Sequence, residues 1–207
     1  MAWSGAVLTA ETLACQRGVR LLFEDLSFRL RSGEALMVVG ANGVGKSSLL
    51  RIIAGLRAPC AGQVRLSGLP DDAPHAEQVH YLGHEDAVKA TLMVAANLAF
   101  WRTVLGPTGQ DVEEALEEVG LGGLGQLPAA ALSAGQKRRL ALARLLVCRR
   151  PLWVLDEPTT ALDASGQALF ATRARAHLSE GGLIIAATHA SLDLGSQGRE
   201  LRLGGGT

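Results

Sequence analysis

The spacing of apolar positions changes several times along the chain, and each change marks an element. Residues 7–13 and 23–30 read as strands, the second alternating through Phe23, Asp25/Leu26, Phe28 and Leu30. A turn at Arg31-Ser32-Gly33-Glu34 leads into ALMVV at 35–39, a continuous apolar run expected of a buried strand. Residues 47–54 then read as a helix stopped at Gly55. Pro59, Gly62 and Gly68 punctuate an expected hairpin with 63–66 as one of its strands, and Tyr81-Leu82-Gly83 ends another short strand. From about Lys89 to Cys148 the pattern is helical. Residues 112–119 (VEEALEEV) are amphipathic, 121–127 are broken by glycines, and 134–148 form a long helix with Ser133 placed as its N-cap. Strand returns at 152–155, helix at 165–178 and strand at 183–187, and the tail LGGGT is expected to fray. Strands alternating with helices predict an α/β fold around a parallel sheet. The helical block looks inserted, so one domain is expected, with a core of about 1–88 and 149–207 and a helical subdomain of about 89–148.

Composition narrows the class. The chain has 207 residues, a formal net charge of +0 and 48% hydrophobic residues, enough for a sizeable core and without the basic field that nucleic acid calls for. The three cysteines, Cys15, Cys60 and Cys148, match no C-x-x-C spacing and read as free thiols of a reducing compartment. The N-terminus lacks a basic region followed by an apolar run, so no signal peptide is expected. ATLMVAANLAFW at 90–101 falls well short of the ~20 apolar residues of a membrane helix and reads as a helix packed on the domain or touching a partner. The expectation is a cytoplasmic protein with no direct membrane insertion, whose membrane role comes through another chain.

Two stretches carry phosphate chemistry. GANGVGKS (Gly40, Ala41, Asn42, Gly43, Val44, Gly45, Lys46, Ser47), continued by Ser48, has the G-x-x-x-x-G-K-S spacing between a strand and a helix. Glycines let backbone N–H groups curl around an anion, and the helix offers its positive end. Lys46 would reach the outer phosphates of ATP, and the Ser47 hydroxyl would bind Mg²⁺. In LWVLDEP, four apolar residues place Asp156 and Glu157 at a strand's C-terminal end, where such sheets bind ligands. Asp156 would hold Mg²⁺, and Glu157 would orient or deprotonate the attacking water.

A third stretch sets the family. Leu132-Ser133-Ala134-Gly135-Gln136 opens the helix KRRLALARLL and resembles the signature of the ATP-binding cassette (ABC) ATPases; the more frequent form is L-S-G-G-Q, so Ala134 departs from it. The resemblance spans essentially the whole chain. It implies a P-loop NTPase fold with a RecA-like mixed sheet core, and ATP and Mg²⁺ as cofactors. It also implies a head-to-tail dimer with a second copy, in which the Ser133 end caps the γ-phosphate held by the other copy's loop. Asp163 resembles the carboxylate of the loop that communicates across that dimer, and His189 the switch histidine that contacts the γ-phosphate, giving it a catalytic role beside Glu157 and Lys46. His84, in YLGHE, stands where the family usually has a glutamine; imidazole can donate or accept there. Arg17 stands about where an aromatic usually stacks on adenine, and a guanidinium can stack as well. His75, His80 and His177 are read as surface residues.

Chain length, LSAGQKRRLALARLL, YLGH and LACQRGVRLLFEDLSF resemble most closely the ATP-binding subunits of cytochrome c maturation systems, the haem-exporter branch. That implies a peripheral ATPase on the cytoplasmic face of a bacterial inner membrane, working with integral membrane subunits through the surface near His84 and residues 90–100. An ATPase of another ABC transporter, a soluble ABC ATPase and a non-hydrolysing nucleotide-dependent regulator stay open at this point.

Overall fold

The computed structural model describes residues 3–69, 73–188, 192, 194–195 and 198–204. Its elements run β1 (Val7–Arg17), β2 (Arg20–Arg31), β3 (Ala35–Val39), α1 (Lys46–Ile53), β4 (Ala61–Ser67), β5 (Val79–Leu82), α2 (Val94–Leu105), α3 (Val112–Glu118), α4 (Ala134–Val147), β6 (Leu152–Asp156), α5 (Ala164–Ser179), β7 (Leu183–Ala187) and β8 (Gly198–Arg202). Contacts divide the chain into two units. One takes residues 1–81, 151–157 and 173–207, the other residues 82–150 and 158–172.

The first unit is built on two sheets. The larger has the order β5-β6-β7-β3-β8, with β7 parallel to both β3 and β6. Every residue of β6 and β7 is buried, which is why LWVLD and LIIAA are apolar on both faces. The smaller sheet has the order β2-β1-β4 and is antiparallel. One core cluster joins its inner positions Leu8, Ala10, Leu13 and Cys15 to Leu49, Leu50, Ile52 and Ile53 of α1 and to alternate residues of β3, β6 and β7. The i, i+3, i+4 spacing on α1 gives the helix one apolar stripe, which holds it in place under the loop that precedes it.

The second unit has its own core, with Val94 and Leu98 of α2, Ala115 and Leu116 of α3, and Leu140, Ala143 and Val147 of α4. Arg144 stacks its guanidinium over the Trp101 ring at 4.9 Å.

Four sequence expectations change. The segment punctuated by Pro59, Gly62 and Gly68 is no hairpin: β4 pairs with β1, some fifty residues earlier in the chain, through Val7↔Ser67 to Ala14↔Ala61. β8 was not foreseen, because GRELR lacks apolar alternation; its backbone pairing with β3 holds it. His80 is buried within β5, and His177 is buried with its ring stacked on Trp153 at 4.1 Å and 9°. An imidazole can bury its flat face against an aromatic ring, as His177 does, and with His80 inside a strand neither is a surface histidine.

Candidate functional site: a phosphate loop and two strand-end carboxylates

Parallel pairing brings the key segments of the first unit to one end of the sheet. Val38 of β3 and Asp156 of β6 share a register partner, Ala187 of β7. They therefore flank it at two strand spacings, about 10 Å. Gly40 follows β3 by one residue, so the glycine loop and the carboxylates leave the sheet on the same side. The Glu157 N–H donates to Ala187 O at 2.8 Å, and Glu157 itself has φ +49°. That left-handed conformation turns the chain sharply after the strand, at a strain of about 1–2 kcal/mol.

The loop is shaped by its glycines. Gly40 has φ +149°, and a Cβ there would lie 2.5 Å from Leu203 O, so no other residue fits without displacing the backbone. Ala41, Asn42 and Gly43 are exposed, Val44 is half-buried and Gly45 is buried. Lys46 is 8% exposed, and its ammonium reaches back over the loop to Gly40 O at 2.7 Å and Ala41 O at 3.2 Å. The first helical bond of α1 is Leu49 N–H to Gly45 O, and no side chain caps the helix N-terminus. The amides of its first turn are thus aimed at the space beside Lys46, together with the exposed Ser47 and half-buried Ser48. A buried cation, a helix start without a side-chain cap and two carboxylates thus stand at one end of the sheet, an arrangement that can receive a phosphate chain together with a divalent cation.

Arg17 sits at the exposed tip of the β1–β2 hairpin, as the partner of Arg20. β2 runs against the loop: a Cβ on Gly45 would lie 3.1 Å from Leu22 Cβ. His189 lies outside the described residues.

The signature is in the second unit. Ser133 caps α4: its Oγ accepts from Gln136 N–H at 3.2 Å, and Gln136 Oε1 accepts from Ser133 N–H at 2.9 Å. Leu132 is buried and anchors the start of the helix, while Ala134 is exposed. A Cβ on Gly135 would lie 2.9 Å from Ala161 O. Thus the first residue after the cap has room for a methyl group and the next does not. Asp163 caps α5: its Oδ1 accepts from Gly166 N–H at 2.9 Å, from Ser165 Oγ at 3.1 Å and from Arg139 Nη2 at 2.5 Å. The Gly166 amide, and after it the Arg139 guanidinium, hold this carboxyl below its ordinary value. His84 is exposed.

Two arginines do what sequence reading did not assign. Arg138, 3% exposed, donates from Nε to Pro158 O and from Nη1 to Gly83 O and to the Asp86 carboxylate. It ties α4 to the residues flanking His84 and to the residue after Glu157. Arg139 ties α4 to Asp163. In the sequence Lys137-Arg138-Arg139 is a run of three basic residues, and the one available signal was an arginine at a position that the helix turns inward.

A family model described as ABC transporter matches residues 23–160. The chain belongs to the ABC transporter family. This ABC ATPase resembles the cytochrome c biogenesis ATP-binding export protein CcmA of Rhodopseudomonas palustris strain BisB5, at 56% identity over 95% of this chain and 98% of that protein. The protein of the same name from Bradyrhizobium diazoefficiens is 55% identical over 96% and 98%. Among solved structures, a putative ABC transporter ATP-binding protein of Pyrococcus furiosus shares the fold at a TM-score of 0.79 and 24% identity, over 94% of this chain and 97% of that one. The ligand of this ABC ATPase is a nucleotide. No helix among its described residues is long and apolar enough to cross a membrane.

Proposed function

We propose that this ABC ATPase binds and hydrolyses MgATP to drive a membrane complex of c-type cytochrome biogenesis, the haem-export or haem-chaperone-release step. The observation that carries the assignment is the 56% identity with a relative named for that process, end to end. The chemistry rests on the loop: Lys46 lies against the carbonyls of Gly40 and Ala41, an internal cation that a phosphate chain would draw outward.

The backbone of Gly40, Ala41, Asn42, Gly43, Val44 and Gly45 cradles the phosphates, and Lys46 neutralises the outer ones. Ser47 and Asp156 fit Mg²⁺: a hydroxyl at the start of α1 and a carboxylate at the end of β6, on the same side of one sheet. Among the described residues no group of three or more His, Cys, Asp or Glu could hold a metal alone, so phosphate oxygens would complete the coordination. Magnesium supplies charge neutralisation at the phosphates. Glu157, turned out of β6 by its left-handed backbone, orients the attacking water and accepts its proton; His189 assists. Arg17 at the hairpin tip stacks on adenine.

Leu132, Ser133, Ala134, Gly135 and Gln136 present the start of α4 to the γ-phosphate held by a second copy, with Asp163 at the same junction. Loss of the γ-phosphate removes the contacts that hold two copies closed. In this reading the exposed His84 and the exposed Phe100 and Val104 of α2 face the integral membrane subunits, with the chain peripheral on the cytoplasmic side of an inner membrane.

The test is complementation. Cells lacking the chain are stained for covalently bound haem after rescue with wild type, Lys46→Ala or Glu157→Gln. Restored c-type cytochromes with wild type alone support the reading. Normal c-type cytochromes in the deletion strain reject the pathway, and rescue by Lys46→Ala rejects the ATP dependence.

A further inference from the structure

Two cysteines far apart in sequence meet in the small sheet. The pairing of β1 with β4 ends at Ala14↔Ala61, and Cys15 and Cys60 are the next residues on the two segments. The Cys60 N–H donates to Ala14 O at 2.8 Å, which fixes the two backbones side by side at this point. Facing residues of neighbouring strands lie with Cα atoms about 4.5–5.5 Å apart. A disulfide needs about 4.4–6.8 Å. Cys15 is buried in the core face, and Cys60 is exposed at the sheet's end.

We propose that Cys15 and Cys60 form a disulfide-forming pair, closed by exchange with a low-molecular-weight disulfide and sensed at the phosphate loop. Cys60, the accessible thiol, attacks one sulfur of the small disulfide and releases its other half as a thiol. Cys15 then attacks Cys60 Sγ and releases the second half. One sulfur–sulfur bond is broken and one is finally formed. The two cysteines lose two electrons and two protons, which the small disulfide gains. Burial pushes the Cys15 thiol up, with Arg57 drawing it down, the neighbouring Cys60 raising it, and a Ser48 hydrogen bond drawing it down. This order of reactivity makes Cys60 the attacking and Cys15 the resolving thiol.

The link to the loop is α1. Cys15 packs in one core cluster with Leu49 and Leu50, which directly follow Ser47 and Ser48 on that helix. Drawing the Cys15 sulfur out of that cluster toward Cys60 disturbs the helix start on which the phosphates would rest. Cys148, buried in the other unit, serves as an internal control.

The experiment treats the purified full chain with oxidised glutathione, alkylates the remaining thiols and maps peptides without reduction. The expected result is a linked Cys15–Cys60 peptide with Cys148 alkylated, reversed by dithiothreitol and absent from Cys60→Ser. A fluorescent ATP analogue should bind the oxidised wild type several-fold more weakly than the reduced, while treated Cys60→Ser keeps its affinity. Glutathione retained on Cys60 with no linked peptide overturns the pair. A linked peptide with unchanged analogue affinity overturns the coupling. The affinity readout rests on the nucleotide reading of the loop. If the reduced chain binds no analogue, that reading fails, and peptide mapping alone still decides the pair.

Discussion

Arg138 and Asp86 form an ion pair of 2.9 Å, with the arginine 3% and the aspartate 26% exposed. The same guanidinium bonds the carbonyls of Gly83 and Pro158, so one side chain of α4 holds two loop backbones far apart in the sequence. Removing a partner of a buried pair leaves a charge without compensation. Arg138→Met should lower unfolding stability by about 3–5 kcal/mol. Asp86→Asn, on the wetter side, should cost less, about 1–2 kcal/mol. Urea denaturation of the purified variants reads both; equal small losses would mean that the pair is solvent-screened.

The signature helix allows a methyl group at one position and rejects it at the next. Ala134 is exposed, whereas a Cβ at 135 would press on the Ala161 carbonyl at 2.9 Å. Ala134→Gly should leave ATPase activity within about twofold and change stability by less than about 1 kcal/mol. Gly135→Ala should push the Ala161 segment aside and lower turnover at least about tenfold. Steady-state phosphate release on the two variants checks the contrast, and near-wild-type turnover by Gly135→Ala would contradict it.

Local pattern showed the elements whose stability is local. β3, β7 and α4 lie where the apolar runs and Ser133 indicated, and the G-x-x-x-x-G-K-S loop stands between a strand and a helix as its glycines require. What stayed hidden depends on distant chain. β4 finds its partner in β1, and β8 is held mainly by hydrogen bonds to β3, with Leu201 alone of its residues packed on the core. The burial of His80 and His177 was equally unreadable: nothing near His177 in sequence marks it as the stacking partner of Trp153, and nothing near His80 marks it as buried. Arg138 and Arg139 received no role from the sequence because the carbonyls and carboxylates that bind them lie about twenty to fifty-five residues away.

Asp163 makes stability depend on acid. Its folded carboxyl lies below the ordinary 3.8 because the Gly166 amide and then Arg139 favour the charged form. Its stabilising contribution is therefore complete above the unfolded value and is lost as pH falls through the lower, folded one. Wild type should exceed Asp163→Asn in denaturation midpoint by a constant margin from neutral pH down to about pH 5. The margin should shrink below about pH 4 and vanish in stronger acid. A margin that stays constant through that range would mean that Asp163 is not the titrating group.

Ser133 carries two demands that substitution can separate. As the N-cap of α4 it satisfies the Gln136 amide, and as the tip of the signature it is proposed to face a γ-phosphate from a second copy. Ser133→Ala removes both and should cost about 1 kcal/mol of stability along with most of the ATPase activity. Ser133→Asp keeps a capping oxygen and places a negative charge at the positive end of the helix, so stability should equal or exceed wild type. The same charge repels phosphate, so ATPase activity should fall as far as in the alanine variant. Thermal denaturation and phosphate release on the pair separate cap from anion site. If Ser133→Asp is both stable and active, Ser133 is a cap alone and the proposed γ-phosphate contact is rejected.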